Sequence, residues 1–492
     1  MIGLKTSRGW LTLAPGTITM DISSPLFSTD TVPGTISYPF GLPMEGNLVP
    51  LNFPHLRADQ GEQIAPEPVE FYIDQQLRWV GSLLYLDCDE DKGLFSYNFV
   101  ADAADLQARI EGVTLPSLDL GRVALVLVPN AADYALPCVR NAAFYGAKLA
   151  GASPILNYYA AGAYDRSPGG HRSAVVPFLR LLPLLARVMG ALGYALSGPW
   201  LAEPEAQAAV LYSDRAVENA DGTLPADFAV NRHVPNIGVG DLLLALQKFF
   251  GLAYRFHPVR REMAVYALRD LIADEAYVAR TGGPARTTAV TATGFALEMA
   301  LEDADDLNKT LDTSWATLRV GAGQQALRTE AGTLHVVREV DPHDAGLREW
   351  LLPAVAAKGA SPAYELGDDS RCGLRLLFDR GLQADKFGQR YPLATSGNED
   401  FDGFAVGTST LHWDGPDGLY ETWHRGWLGF LDRASTREAT MDFHVADLLT
   451  LDPGRKELVN HRKYLWEKVS LRLNTTGRYL ETADFTYRFT RL

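Results

Sequence analysis

The residues of this chain that could do chemistry are scattered rather than gathered into motifs. Ten histidines occur: His55, His171, His233, His257, His335, His343, His412, His424, His444 and His461. No two stand four apart as in HExxH, and none is paired with a cysteine, so residue order alone spells no zinc site. The three cysteines, Cys88, Cys138 and Cys372, lie far apart with no CxxC pair. Single thiols in a reducing compartment fit that spacing better than a zinc ribbon or a disulfide scaffold. The segment DCDEDKG (87–93) puts Asp87, Asp89 and Asp91 at alternate positions, as a calcium loop does. Its Gly93 comes one place late, however, and Asn98 stands where a bidentate Glu is required, so the segment reads as a polar hairpin tip.

Other catalytic patterns are also missing. There is no GxSxG elbow for a serine nucleophile. The glycine-rich pieces TGGPAR and SPGGHR lack the Lys-Ser/Thr of a phosphate loop and the strand-turn-helix setting of a dinucleotide site. Carboxylate pairs do occur, at Asp368/Asp369 and at Glu399/Asp400 with Asp402, and a glycosidase needs only two. YETWHRGWLGF (420–430) concentrates Trp423, His424, Trp427 and Phe430. That spacing suits the buried stripe of one helix, and a protein interface or a sugar-stacking platform are the other open readings. No catalytic, cofactor-binding or metal-ligating residue is assigned, and no cofactor is implied.

The elements that would have to position these residues follow from composition and periodicity. A chain of 492 residues holds about three or four domains. It is 47% hydrophobic and 21% charged, as an ordinary globular chain is. The formal net charge of -15, with no Lys/Arg-rich run, argues against nucleic acid as the main ligand. The N-terminal twenty residues lack the apolar core of a secretory signal. The greasiest stretch, 174–198, is broken by Pro177, Arg180, Pro183 and Arg187 and fails as a membrane span.

The expected fold is α+β and mostly β. Residues 1–145 form a β-rich block: 34–43 enters a Pro/Gly turn, 69–87 reads as strand-turn-strand, 94–102 follows, and the apolar run VALVLVP (123–129) has the pattern of a fully buried strand. Residues 146–275 form a helix-strand block. Leu181, Leu184, Leu185, Val188 and Leu192 share one helical face, with Pro183 expected to kink or restart that helix. Leu242, Leu246, Phe249 and Phe250 line a second helix, stopped by Gly251. Each helix leads into a short strand, and Leu182, Leu184, Leu192 and Tyr194 align with Leu242, Leu244, Leu252 and Tyr254, the trace of a duplicated unit. The stretch TGGPARTTAVTATG (281–294) reads as a linker. Residues 276–492 form a second β-rich block, with strands at 373–381, 409–413, 469–474 and 485–490 and a turn at Asn460-His461.

Four passages resemble tail proteins of bacteriophages of the kind that infect Bacteroidetes-type bacteria. They are PLFSTDTVPGTISYPFGLPMEGNLVPLNFPH (25–55), VVPFLRLLPLLARVMGALGYALSGPWL (175–201), HVPNIGVGDLLLALQKFFGLAYRF (233–256), and GLYETWHRGWLGFL together with LLTLDPGRKELVNHRKYLWEKVSLRLNTTG (448–477). In HVPNIGV a Val-Pro stands where that pattern has Leu-Pro. Residues 276–409 are largely outside the resemblance. It implies a tail-hub or baseplate protein of a phage or a phage-derived contractile injection system. Such a protein has tube-like β-barrel domains split by an inserted α/β domain and works as a homotrimer. It joins the tail tube to a tail-tip or spike protein and touches distal tail, baseplate and tape-measure proteins, with DNA only in transit. It resides in the virion after assembly in the host cytoplasm and has no enzymatic activity. An acidic lumen would repel passing DNA. The competing reading is a carbohydrate-binding or carbohydrate-cleaving receptor-recognition protein.

Overall fold

The computed structural model describes all residues except 1, 28–34, 102–109, 146–150, 220, 258–259, 291, 345, 357–372, 477–479 and 491–492. Strands dominate and helices are few and short, so the fold is α+β and mostly β. The chain divides into two compact units that are both discontinuous. Unit 1 is Met1–Glu111, Ala253–Ala292 and Gly426–Leu492; unit 2 is Gly112–Leu252 and Thr293–Arg425.

Unit 1 is built on one 14-stranded sheet. Its main path runs Gly9–Trp10, Ile2–Thr6, Glu67–Ile73, Gln76–Asp89, Leu94–Ala101, Thr35–Ser37, Thr17–Ser23, Arg462–Asn474, Thr482–Phe489, Thr436–Asp442 and Ala285–Thr288, with Phe40–Pro43, Tyr277–Arg280 and Lys456–Val459 attached beside it. Period-two sequences explain the strands. Val69, Phe71 and Ile73 are buried on one, Phe95, Tyr97 and Phe99 on another, and Val469, Leu471 and Leu473 on a third, with polar residues between. All of these side chains belong to one hydrophobic cluster, so the sheet curls into a half-barrel around a common core. The two chain ends meet inside it: Thr17–Ser23 pairs antiparallel with Arg462–Asn474, with Ile18 opposite Leu473.

The turns are made by residues that tolerate the left-handed region. Asp74 (φ 51°) and Gln75 (φ 63°) join the strands Glu67–Ile73 and Gln76–Asp89, and Asn460 (φ 50°) and His461 (φ 63°) join Lys456–Val459 to Arg462–Asn474. Two consecutive residues at positive φ are what a tight two-residue hairpin requires.

Unit 2 carries smaller sheets and two amphipathic helices. Val139–Arg140, Ile155–Leu156, Glu349–Ala354 and His335–Val340 form a four-stranded sheet, and Ala209–Leu211, Leu376–Ala384 and Arg390–Thr395 a three-stranded one. Helix Leu181–Ala191 buries Leu181, Leu184, Leu185, Val188 and Met189. Leu192, expected on that face, lies just past the helix end and is half-buried. Pro183 does not kink this helix, because the helix begins at Leu181. Pro183 therefore falls in the first turn, where backbone N–H groups have no intrahelical partner to lose. Helix Val239–Phe250 ends at Gly251 in the left-handed conformation (φ 58°), as its sequence predicts.

Three expectations about strands and linkers fail as well. Only Arg122–Ala124 of the apolar run 123–129 is strand, and Val126, Leu127 and Val128 are exposed at 46%, 36% and 43%. Residues 409–413 are not a strand, although Leu411 and Trp413 are fully buried. The supposed linker 281–294 contains the strand Ala285–Thr288. An edge strand wetted on both faces has no alternation, and its Thr-rich composition mimics a loop.

Candidate functional site

The feature of unit 1 that asks for a partner is the end of its large sheet. Among the described residues Ala285–Thr288 pairs with Thr436–Asp442 on one side only, and all four of its residues are exposed. At the other end of the path stands Gly9–Trp10, with Trp10 exposed at 56%. Beside Ala285–Thr288 the sheet face forms an open cleft of about 560 Å³, lined by Arg286, Glu438, Thr440, Lys468, Ser470 and Asp484 among others. Glu438, Thr440, Lys468, Ser470 and Asp484 alternate with core residues, so their direction follows from the strand pleat.

Two ion pairs stand in and beside the cleft. Lys468 Nζ lies 2.6 Å from Asp21, and Arg472 lies 2.8 Å from Asp484. Partial burial raises the Asp21 carboxyl, but hydrogen bonds from Lys468 and Ser470 outweigh it and hold the group below its ordinary range. A cleft so paired offers backbone and polar groups along an edge rather than a concentrated charge for an ionic ligand. A free edge and a polar concave face suit strand addition by another chain.

The dispersed chemistry-bearing residues come together only in part. In unit 2, His343 Nε2 lies 2.9 Å from Ser153 Oγ, and the His171 ring stacks at 5.2 Å from His343. The Ser153 hydroxyl also lies 3.1 Å from Ile155 O and accepts the Ile155 backbone N–H at 3.1 Å. Asp341 Oδ1 is taken by the backbone N–H of His343 and its Oδ2 by the Tyr158 hydroxyl. Burial holds His343 below the ordinary imidazole range, with Asp341 opposing and His171 adding to it. Asp341, engaged by a backbone N–H and by Tyr158, completes a hydrogen-bonded corner around His343.

Glu399, Asp400 and Asp402 lie on one hairpin, where Asp400 Oδ1 accepts the backbone N–H groups of Asp402 (3.0 Å) and Phe404 (2.9 Å). That carboxylate is a turn cap. Asp368, Asp369 and Cys372 lie outside the described residues. Asp87 and Asp89 sit in the strand Gln76–Asp89, and Asp89 pairs with Lys92 across the turn closed by Gly93 (φ 63°). Cys88 is half-buried; Cys138 is fully buried, and burial pushes its thiol far up.

The aromatic run 420–430 is divided between the units. In unit 2, Trp423 is 2% exposed and packs on Phe250 at 5.7 Å, while His424 donates to Phe249 O at 3.1 Å. In unit 1, Trp427 is 3% exposed and packs on Phe27 and Phe430. Neither tryptophan offers a face to a sugar, so the stacking platform does not exist. Sequence reading missed the edge strand Ala285–Thr288 and the projection of Phe404; the Asp402-Gly403 dipeptide was the available turn signal for the second.

No protein-family model matches this chain, and no curated protein matches it. Among solved structures it is similar to the 43 kDa tail protein of prophage MuSo2 from Shewanella oneidensis, at 8% identity and a TM-score of 0.40, covering 99% of this chain and 96% of that one. It is also similar to a tail protein from Neisseria meningitidis MC58, at 9% identity and a TM-score of 0.37, covering 99% and 95%. Values this low carry no argument about what this chain does.

Proposed function

We propose that this chain is a non-enzymatic structural component of a phage-type tail. In this reading it is a hub or baseplate protein that forms a homotrimeric ring between the tail tube and the tail tip or spike. The observation that carries the reading is the open half-barrel sheet of unit 1, whose end strand Ala285–Thr288 is exposed on both faces and has one edge without a strand partner among the described residues. A soluble monomer normally blunts or covers such an edge. A ring of identical subunits covers it by pairing each sheet with a neighbour, which also closes the symmetry. The four passages that resemble phage tail proteins favour the same reading. The three-block organisation, with tube-like β domains around the helix-strand segment 146–275, belongs to this proposal, as does passage of DNA or an effector through the ring.

Arg286→Pro and Thr287→Pro test it. Each removes one backbone N–H, and successive N–H groups of a strand point to opposite edges. One of the two variants therefore spoils the free edge while leaving the ladder to Thr436–Asp442 intact. That variant should fold like the wild type but fail to form rings or bind the tube protein. Ring assembly by both variants, each folded, would contradict the proposal.

A further inference from the structure

Unit 2 carries a second surface of a different kind, which does not depend on what the large sheet does. The segment 398–406 is a hairpin held rigid at every point. Val406 N–H donates to Asn398 O at 2.7 Å, Asp400 N–H to Phe404 O at 2.9 Å, and Gly403 N–H to Asp400 O at 3.2 Å. Gly403 takes the left-handed conformation (φ 84°) that closes the turn. Phe401 points inward, 5% exposed, under the Arg338 guanidinium at 4.4 Å, and Arg338 also donates to Phe401 O at 2.8 Å. The root is fixed as well. The buried Glu205 carboxylate, paired with Arg380 at 2.6 Å, accepts the Thr408 hydroxyl at 2.8 Å and the Ser409 N–H at 3.1 Å. Asn398 donates to Asp417 at 2.9 Å.

This scaffold turns Phe404 outward, 69% exposed, on the hairpin that also carries the exposed acids Glu399 and Asp402. The third acid of the segment, Asp400, is consumed as the turn cap. An aromatic side chain on a rigid turn loses little conformational entropy on binding, and such residues anchor interfaces by filling pockets. The two acids add a like-signed rim, which selects a basic surround and penalises an acidic one.

We infer that the 398–406 hairpin is a docking knob for a different protein, one that presents an apolar pocket bordered by Lys or Arg side chains. The test places the photo-crosslinking amino acid benzoylphenylalanine at position 404 in the full chain, co-expressed with the proteins encoded beside it. Crosslinked peptides are then identified by mass spectrometry. The expected product is a heterologous crosslink at a peptide that carries Lys or Arg next to apolar residues. Its yield should fall at least fivefold in Glu399→Lys/Asp402→Lys and in 0.5 M salt. Phe404→Ser, without the crosslinker, should leave the melting temperature unchanged and weaken pull-down of the same partner. Crosslinks to a second copy, crosslinks to an acidic or uncharged surface, a yield indifferent to charge reversal, or no crosslink from a folded chain would each overturn the inference.

Discussion

Arg280 and Glu457 form a buried ion pair in unit 1: the guanidinium Nε lies 2.6 Å from the carboxylate, with the side chains 6% and 2% exposed. They stand on neighbouring parallel strands, Tyr277–Arg280 and Lys456–Val459, brought together from 177 residues apart. The Tyr487 hydroxyl donates to the second carboxylate oxygen, and Arg280 also lies 5.2 Å over the Phe443 ring. The pair ties the segment that leads into the edge strand Ala285–Thr288 to the C-terminal strands.

Removing one partner strands the other charge in the core. Arg280→Met should therefore cost unit 1 about 3–5 kcal/mol, and Arg280→Met/Glu457→Leu should recover much of it. Urea unfolding of the three proteins checks this. A double variant no more stable than the single one would show that the pair's worth lies in its geometry rather than in charge compensation.

Two histidines of unit 2 predict acid sensitivity. Burial lowers the pKa of His233 to about 3 and that of His424 to about 4, against 6.5 for the free side chain. A depressed folded pKa means that the neutral form is favoured by folding. The stability is complete above pH 6.5 and is lost as pH falls through that value toward the folded pKa. At pH 5 each group should have cost about 2 kcal/mol relative to pH 8. His424→Gln keeps a donor for Phe249 O and should remove about half of this pH dependence. A stability of unit 2 that stays flat between pH 8 and 5 would refute the assignment.

Two glycines should respond in opposite ways to alanine. At Gly251 a Cβ would stand 3.0 Å from Trp423 O in a left-handed backbone, so Gly251→Ala should lose about 1–2 kcal/mol. Gly190 lies inside helix Leu181–Ala191 with nothing within 4 Å of its Cβ position, so Gly190→Ala should gain up to about 1 kcal/mol. Thermal melts of both variants decide it.

The sequence was legible wherever one face of an element is buried and the other wet. The alternation in 469–474 and 485–490, the helix stop at Gly251 and the turn at Asn460-His461 are all local patterns, and all are realised. What was not legible is long-range or lacks alternation. Nothing local says that Thr17–Ser23 pairs with Arg462–Asn474 across more than four hundred residues, or that the units interleave. The run 123–129 was misread because an apolar stretch reveals its hydrophobicity but not whether its own fold covers it; Val126–Val128 remain exposed. At 420–430 the expected buried stripe of one helix is realised: the helical run through Tyr420–His424 and Arg425–Leu431 buries Trp423, His424 and Trp427.

The most direct test of the central claim is the mass of the purified full-length chain by light scattering over a range of concentrations, with negative-stain images of the same samples. The structural-ring reading predicts a trimer with a central opening. A compact monomer that persists at every concentration, and also in the presence of the tube protein, would contradict it.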